Sequence, residues 1–228
     1  MRRSWRAFDP EAQDISAWYA GVENTPADLN RFNAAIVKAI REVDRETPVV
    51  MDCDTVYVIN YLRPLRDDKV LYSFHMYEPW KYTNWKSNNG KFGYPGVMTT
   101  EVGTGAQRTE AKMNLNRAEL EKILSSAVQW QRRNKIPSNR MFVGEFGCHR
   151  AVGGAAVYLQ DLVNIFDGHE WHWAFYAFRE DEWDGMDYEL GTVPLGEAYW
   201  KAKERGENPQ PKRVSNPLWK ALERGLKQ

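Results

Sequence analysis

Residues 141–147, Met-Phe-Val-Gly-Glu-Phe-Gly, run three apolar side chains into a glycine, a carboxylate, an aromatic and a second glycine. That order reads as a short buried strand delivering one glutamate, Glu145, at its end. Glycines on either side let backbone or ligand come close. A carboxylate placed this way is a catalyst, a metal ligand or half of a buried ion pair. Taken alone, the segment weighs function and simple ion pairing evenly.

Working outward, residues 49–53 (Val-Val-Met-Asp-Cys), 70–77 (Val-Leu-Tyr-Ser-Phe-His-Met-Tyr) and 171–178 (Trp-His-Trp-Ala-Phe-Tyr-Ala-Phe) read as three further strands. Helices are expected between them. A short one over 10–20 carries Ile15, Trp18 and Tyr19. Thr25-Pro26-Ala27-Asp28 offers an N-cap, a first-turn proline and an acid for the next. Its apolar stripe is Leu29, Phe32, Ile36, Ile40 and Val43, and Pro48 ends it. Asn116 opens a capping-box-like helix with Leu120, Ile123, Leu124, Ala127 and Trp130 behind it. Residues 155–166 form another, with Gly168 expected just past its end, and Asn216-Pro217 opens the last, bearing Leu218, Trp219, Leu222 and Leu226. A loop of roughly thirty-five residues follows the second strand, long enough to suggest function. Trp80, Tyr82, Trp85, Phe92 and Tyr94 in it suit either a ligand-facing surface or packing over the core mouth. Residues 203–213 read as surface loop. Apolar strands alternating with amphipathic helices predict an α/β fold of parallel strands covered by helices. We find no linker, so residues 1–228 are expected to form one domain.

Composition excludes several function classes. Hydrophobic content of 43% and charged content of 27% are those of a water-soluble globular chain. Lys+Arg and Asp+Glu are both 31, which argues against nucleic acid as a partner, since phosphate contacts need a basic excess. The 10 tryptophans suit an aromatic core or a surface that stacks on flat ligand faces. Cys53 and Cys148 are too few for a disulfide framework and read as free thiols. The first ten residues carry charge without an apolar run, so there is no signal peptide in the sequence as written. The expected location is cytoplasmic, or secreted if an N-terminal segment has been lost. No run reaches the roughly 20 apolar residues of a membrane span. Asp52 and Asp54 lack neighbouring metal-ligand spacing, and Gly103-Thr104-Gly105 is too short for a phosphate loop, so neither metal nor cofactor is expected.

The polar residues gather at the strand ends: Asp52 and Asp54, then His75, Tyr77 and Glu78, then Glu145, then Tyr176 and Arg179. In parallel α/β folds ligands sit along that edge. Four pieces in order, His75-Met-Tyr77-Glu-Pro79, Gly144-Glu145-Phe146-Gly147, Trp173-Ala-Phe-Tyr176-Ala-Phe-Arg179-Glu-Asp and Trp183-Asp-Gly-Met-Asp-Tyr-Glu-Leu-Gly191, resemble glycoside hydrolase family 5, the cellulase-type hydrolases. The first three look like the last three strand ends of that family. The fourth looks like the stretch after the eighth strand in some members. The resemblance implies an eight-stranded (β/α) barrel and retaining hydrolysis of β-glycosides, with carbohydrate as the ligand. It makes Glu145 the nucleophile, which must be ionised to form a glycosyl-enzyme. It makes Tyr77 the tyrosine that hydrogen-bonds the nucleophile and helps hold it ionised. It places His75 in the same subsite and Tyr176 at the position of a sugar-stacking tryptophan. Trp173 is a second stacking candidate, although strand alternation sends it to the opposite side from Tyr176. Trp80 and Trp85 become candidates for outer subsites. For each of these aromatics, and for His75, plain core packing is the competing reading.

Two departures matter. The family's acid/base belongs to an Asn-Glu-Pro that this chain lacks; Glu23-Asn24-Thr25-Pro26 has the letters in the wrong order and lies before a helix. The chain also aligns only with the back half of the family. The expected fold is therefore a truncated, partial TIM barrel of four to five parallel strands. Open strand edges and an uncovered inner face predict a homo-oligomer, a dimer or more. Retaining chemistry needs a second carboxyl about 5–5.5 Å from the first. Glu78 is the first candidate by position, followed by Asp52, Asp54, Glu23 and Asp184. Three functions follow from these facts. One is a retaining β-glycosidase acting on small or terminal sugars such as β-glucosides, β-galactosides or short β-glucans. The second is a non-catalytic carbohydrate-binding remnant. The third is an inactive folded fragment.

Overall fold

The computed structural model describes residues 15–102, 109–179 and 183–227. Its centre is a four-stranded sheet, all parallel, in the order β1 (Val49–Thr55), β2 (Val70–Met76), β5 (Met141–Phe146), β6 (His172–Trp173). Apolar residues two apart put Tyr72 and Phe74 of β2 and Val143 of β5 on one face. That face packs against α5 (Arg117–Asn134) and α6 (Ala155–Gly168): Tyr72 meets Trp130 at 5.1 Å between ring centres, and Phe146 meets Phe166 at 5.1 Å. Leu120, Leu124, Ala127, Leu159, Leu162 and Val143 are buried in the same cluster. The opposite, inner face presents Val50, Asp52, Ser73, His75 and Glu145.

Local signals place the helices. Asn116 accepts from Glu119 N at 3.1 Å and Asn216 accepts from Leu218 N and Trp219 N, so both expected N-caps form, the second with Pro217 opening α8 (Pro217–Leu226). α6 runs through Gly168, two residues further than expected, and is capped by His169. The described part of the first helix is α1 (Ile15–Gly21); residues 10–14 of that expectation lie outside the described residues, as do Gly103, Thr104, Gly105, Glu180 and Asp181.

Several expectations need correction. The cap of α2 (Leu29–Val43) is Asp28, which accepts from Asn30 N and Arg31 N; Thr25 makes a preceding turn. The α2 stripe does not form a buried face: Phe32 is 60% and Val43 91% exposed, and Val37 is the residue buried. α2 is fastened by polar contacts instead. Asn30 Nδ2 donates to Tyr61 O, Arg63 N donates to Asn30 Oδ1, and Arg41 pairs with Asp67 at 2.7 Å.

The long loop after β2 is largely structured. It holds two helical turns, α3 (Trp80–Thr83) and α4 (Trp85–Asn88), and an antiparallel hairpin of β3 (Gly96–Val102) and β4 (Thr109–Leu115). Met98 and Leu115 anchor the hairpin in the core. Tyr82 and Tyr94 are buried against Tyr158, so these two aromatics serve packing. The fourth strand is also shorter than expected. Only His172–Trp173 pairs regularly, after which Ala174 N and Tyr176 N still reach Val143 O and Phe146 O. Finally, residues 203–213 begin within a further helix, α7 (Glu197–Glu204). Among the described residues no helix is long and apolar enough to cross a membrane.

Candidate active site

Two irregularities in strand register bring the site together. β1 pairs Asp52 with Ser73 and then Thr55 with His75, so β1 spends one extra residue at its end. β5 pairs Val143 with Phe74 and then Glu145 with His75, so Gly144 is the extra residue there. Bulges of this kind re-aim side chains at strand ends. Here the result is His75 lying beside Glu145 on the inner face, with Asp52 on its other side.

Tyr77 Oη donates to Glu145 Oε2 at 2.9 Å. His75 Nδ1 lies 3.6 Å from the same oxygen, and His75 Nε2 lies 2.9 Å from Asp52 Oδ2. Ser73 Oγ donates to the second Asp52 oxygen. Glu145 is thus a partly buried carboxylate with a phenol and an imidazole on one oxygen. A hydrogen bond to an ionised carboxylate contributes about 1.5–3 kcal/mol. Gly144 is explained by the same geometry: a Cβ there would collide with Ser73 Oγ and sit 3.4 Å from Asp52 Oδ1. At Gly147 a Cβ would collide with Tyr188 Oη and come within 3.0 Å of Tyr176 O. Tyr188 Oη in turn holds the Cys148 backbone, accepting from N and donating to O at 3.0 Å each. Both glycines of the 141–147 segment therefore admit neighbours that build the site wall.

The electrostatics follow from these contacts. Burial disfavours charge on His75, but the hydrogen bond and charge of Asp52, then Glu145 and Asp54, outweigh it and raise its pKa above 6.5. Burial works to raise Asp52, yet His75 and Ser73 hold it below 3.8. Tyr77 is pushed well up, by burial first and then by the charge and hydrogen bond of Glu145, so it stays a protonated donor. Burial also raises both Cys53 and Cys148, which are free, buried thiols.

The structure assembles some expected residues and disperses others. His75, Tyr77 and Glu145 meet, and Tyr176 lies near Tyr77. Trp173 does not reach them. It packs edge-on to Phe146 at 5.6 Å and donates to Asp167 Oδ1 of α6, because its position in β6 faces the helices. Glu78 lies past the strand, and its carboxylate accepts from Trp80 N at 3.0 Å, at the start of α3. Trp80 and Trp85 are surface-exposed, and Trp85 stacks on His149 at 5.2 Å. Glu23 pairs with Arg63, and Asp184 with the buried Arg150. Of the candidate second carboxylates, Asp52 is the one joined to Glu145, through His75. Ser73 is the site residue that the sequence reading misses. The signal was available in the spacing of Ser73 and His75, two apart and hence on one face.

A cavity of ≈ 1000 Å³ lined by Lys38, Arg41, Arg66, Lys69 and Arg140 lies at the opposite ends of the strands and contains none of these residues. Among the described residues no group of three or more His, Cys, Asp or Glu is placed to hold a metal ion.

Residues 9–182 match the family profile described as Cellulase (glycosyl hydrolase family 5). Solved structures resemble the fold. An endoglucanase is 18% identical with a TM-score of 0.56, over 85% of this chain and 53% of its own. Cel5A from Thermotoga maritima, in complex with cellobiose, is 18% identical with a TM-score of 0.56, over 88% and 56%. Cellulose synthase subunit Z from Clostridioides difficile is 19% identical with a TM-score of 0.51, over 70% and 49%. The chain thus spans about half the length of these structures, and at such identities the likeness is one of fold: a partial (β/α) barrel. No curated protein matches the sequence significantly.

Proposed function

The chain belongs to glycosyl hydrolase family 5, and from that premise we propose that it is a retaining β-glycoside hydrolase with Glu145 as nucleophile. The observation that carries this is the Tyr77–Glu145 hydrogen bond of 2.9 Å, with His75 on the same carboxylate oxygen. A phenol that stays protonated donates to Glu145 while leaving the other carboxylate oxygen to face an anomeric carbon. Thermotoga maritima Cel5A has been captured with cellobiose and with mannotriose, which supports a carbohydrate ligand for this chain. The open inner face supports short or terminal β-linked sugars: β-glucosides, β-galactosides or short β-glucans. Tyr176 and the exposed Trp80 are the proposed sugar contacts.

The second carboxyl is proposed to arrive across the open side of the sheet, through homo-oligomerisation. The exposure of Phe32, Ile36 and Val43 on α2, and of Val50 on β1, a strand with no partner on its outer edge among the described residues, supports an association on that side. Size-exclusion chromatography with light scattering is expected to give a dimer or larger species; a clean monomer overturns that part of the reading.

The engagement of Glu78 by Trp80 N favours a second reading, in which the protein binds sugars without cleaving them. Nitrophenyl β-glycoside assays separate the two. Turnover that Glu145→Gln abolishes supports the hydrolase. Turnover untouched by it removes Glu145 as nucleophile. Calorimetric sugar binding without turnover supports the binder.

A further inference from the structure

One imidazole on the inner face stands between two carboxylates. His75 Nε2 is 2.9 Å from Asp52 Oδ2, and His75 Nδ1 is 3.6 Å from Glu145 Oε2. Ionised carboxylates only accept hydrogen bonds, and a neutral imidazole has a single N–H to donate. A neutral ring therefore satisfies one flank and leaves the other facing a lone pair. A doubly protonated ring donates to Asp52 and turns a second, positively charged N–H toward Glu145, at an ion-pair distance of 3.6 Å that is too long for a hydrogen bond. Asp52 is itself held, by Ser73 Oγ, and Gly144 keeps the space that this hydrogen bond occupies. The row crosses β1, β2 and β5 at their ends.

We propose that Asp52 is a positioning residue of this site: by accepting from Nε2 it fixes the ring of His75 and holds a positive charge, through Nδ1, against Glu145. The inference deepens the proposed function, since it takes Glu145 as the reacting carboxylate. Asp52 acts through His75 and is not the second carboxyl of the reaction, because the imidazole occupies the space between it and Glu145. The groups facing His75 are Asp52 and Asp54 from β1, Glu145 from β5, and the edge-on ring of Tyr77 at 6.4 Å. All three charged groups are acidic. They outweigh the burial of the ring, which agrees with the direction in which it titrates.

The test is an NMR titration of the intact protein carrying ¹³C-labelled histidine. There are 4 histidines, and His75→Gln identifies the resonance wanted. In the wild type the His75 midpoint is expected above 6.5. Asp52→Asn is expected to lower it, Asp52→Glu to restore it in part, and the signals of His149, His169 and His172 to stay in place. The alkaline limb of kcat/KM should move to lower pH in Asp52→Asn along with the His75 midpoint. A wild-type midpoint at or below 6.5 overturns the proposal without any variant, and so does a midpoint that ignores Asp52→Asn. The titration needs no turnover. Failure of the hydrolase reading therefore shows in the Glu145→Gln assay, and failure of this one shows in the His75 midpoint.

Discussion

Helices α5 and α2 carry apolar stripes of similar spacing and meet opposite fates. In α5 the stripe Leu120, Ile123, Leu124, Ala127 and Trp130 is buried against the sheet and α6. In α2, Phe32, Ile36 and Val43 of the stripe face outward, Leu29 packs against the core, Ile40 is half-buried, and Asn30 and Arg41 tie the helix down. The stripe is a local property of the chain, but its cover is not. α5 lies where strands continue on both sides. α2 lies by β1, whose outer edge pairs with nothing among the described residues. The same contrast runs through the site. Tyr77, His75 and Glu145 form a finished wall toward β5, whereas the Asp52 side chain, toward the open edge, is 44% exposed.

Substitutions in the two stripes should break the symmetry most strongly. Leu124→Ala is expected to cost about 2–5 kcal/mol by urea unfolding, through lost burial and a cavity. Ile36→Ser should stay within roughly 0.5 kcal/mol in the monomer. An equal loss at both positions would mean that α2 is as buried as α5 in solution. Combining Phe32→Ser, Ile36→Ser and Val43→Ser should then shift light-scattering mass toward the monomer with the fold intact. No change in mass would move any association elsewhere. On the finished side, Tyr77→Phe removes one charge-assisted hydrogen bond of about 1.5–3 kcal/mol. If that bond is needed in the transition state, kcat/KM falls roughly ten- to a hundredfold. An unchanged kcat/KM would reduce Tyr77 to a structural role.

The smallest expected effect is a pH window. His75 has a raised pKa, so its contribution to stability is full below 6.5 and fades as pH rises through its folded value. Asp52 has a lowered pKa, so its contribution is full above 3.8 and fades as pH falls through its folded value. The melting-temperature gap between wild type and Asp52→Asn should therefore be widest from 3.8 to 6.5 and close on either side. A gap that is flat across pH would assign it to packing rather than to the ion pair.

Much of the sheet could be read directly because its signals are local. Three apolar runs of strand length lie between helices with recognisable caps, and Asn116 and Asn216 cap where their side chains allow. The β3–β4 hairpin is not legible in the sequence, because Asn, Gly and Lys surround it and the burial of Met98 that anchors it comes from distant residues. The fourth strand is shorter than its apolar run, because such a run does not show that β6, at the sheet's edge, has one neighbour to pair with among the described residues. In the site, Glu145, Tyr77 and His75 could be named from strand ends and family likeness. Trp173 and Glu78 could not be placed, since which way a side chain turns depends on register and on the next turn of chain.

By itself the sequence determined the parallel strands, the long helices that alternate with them and the glutamate at the end of the third sheet strand, because periodicity and capping act over a few residues. Only the tertiary structure decided that two one-residue bulges set His75 between Asp52 and Glu145. It alone decided that Phe32, Ile36 and Val43 of the α2 stripe go uncovered. Register and cover are properties of neighbours that lie far apart along the chain.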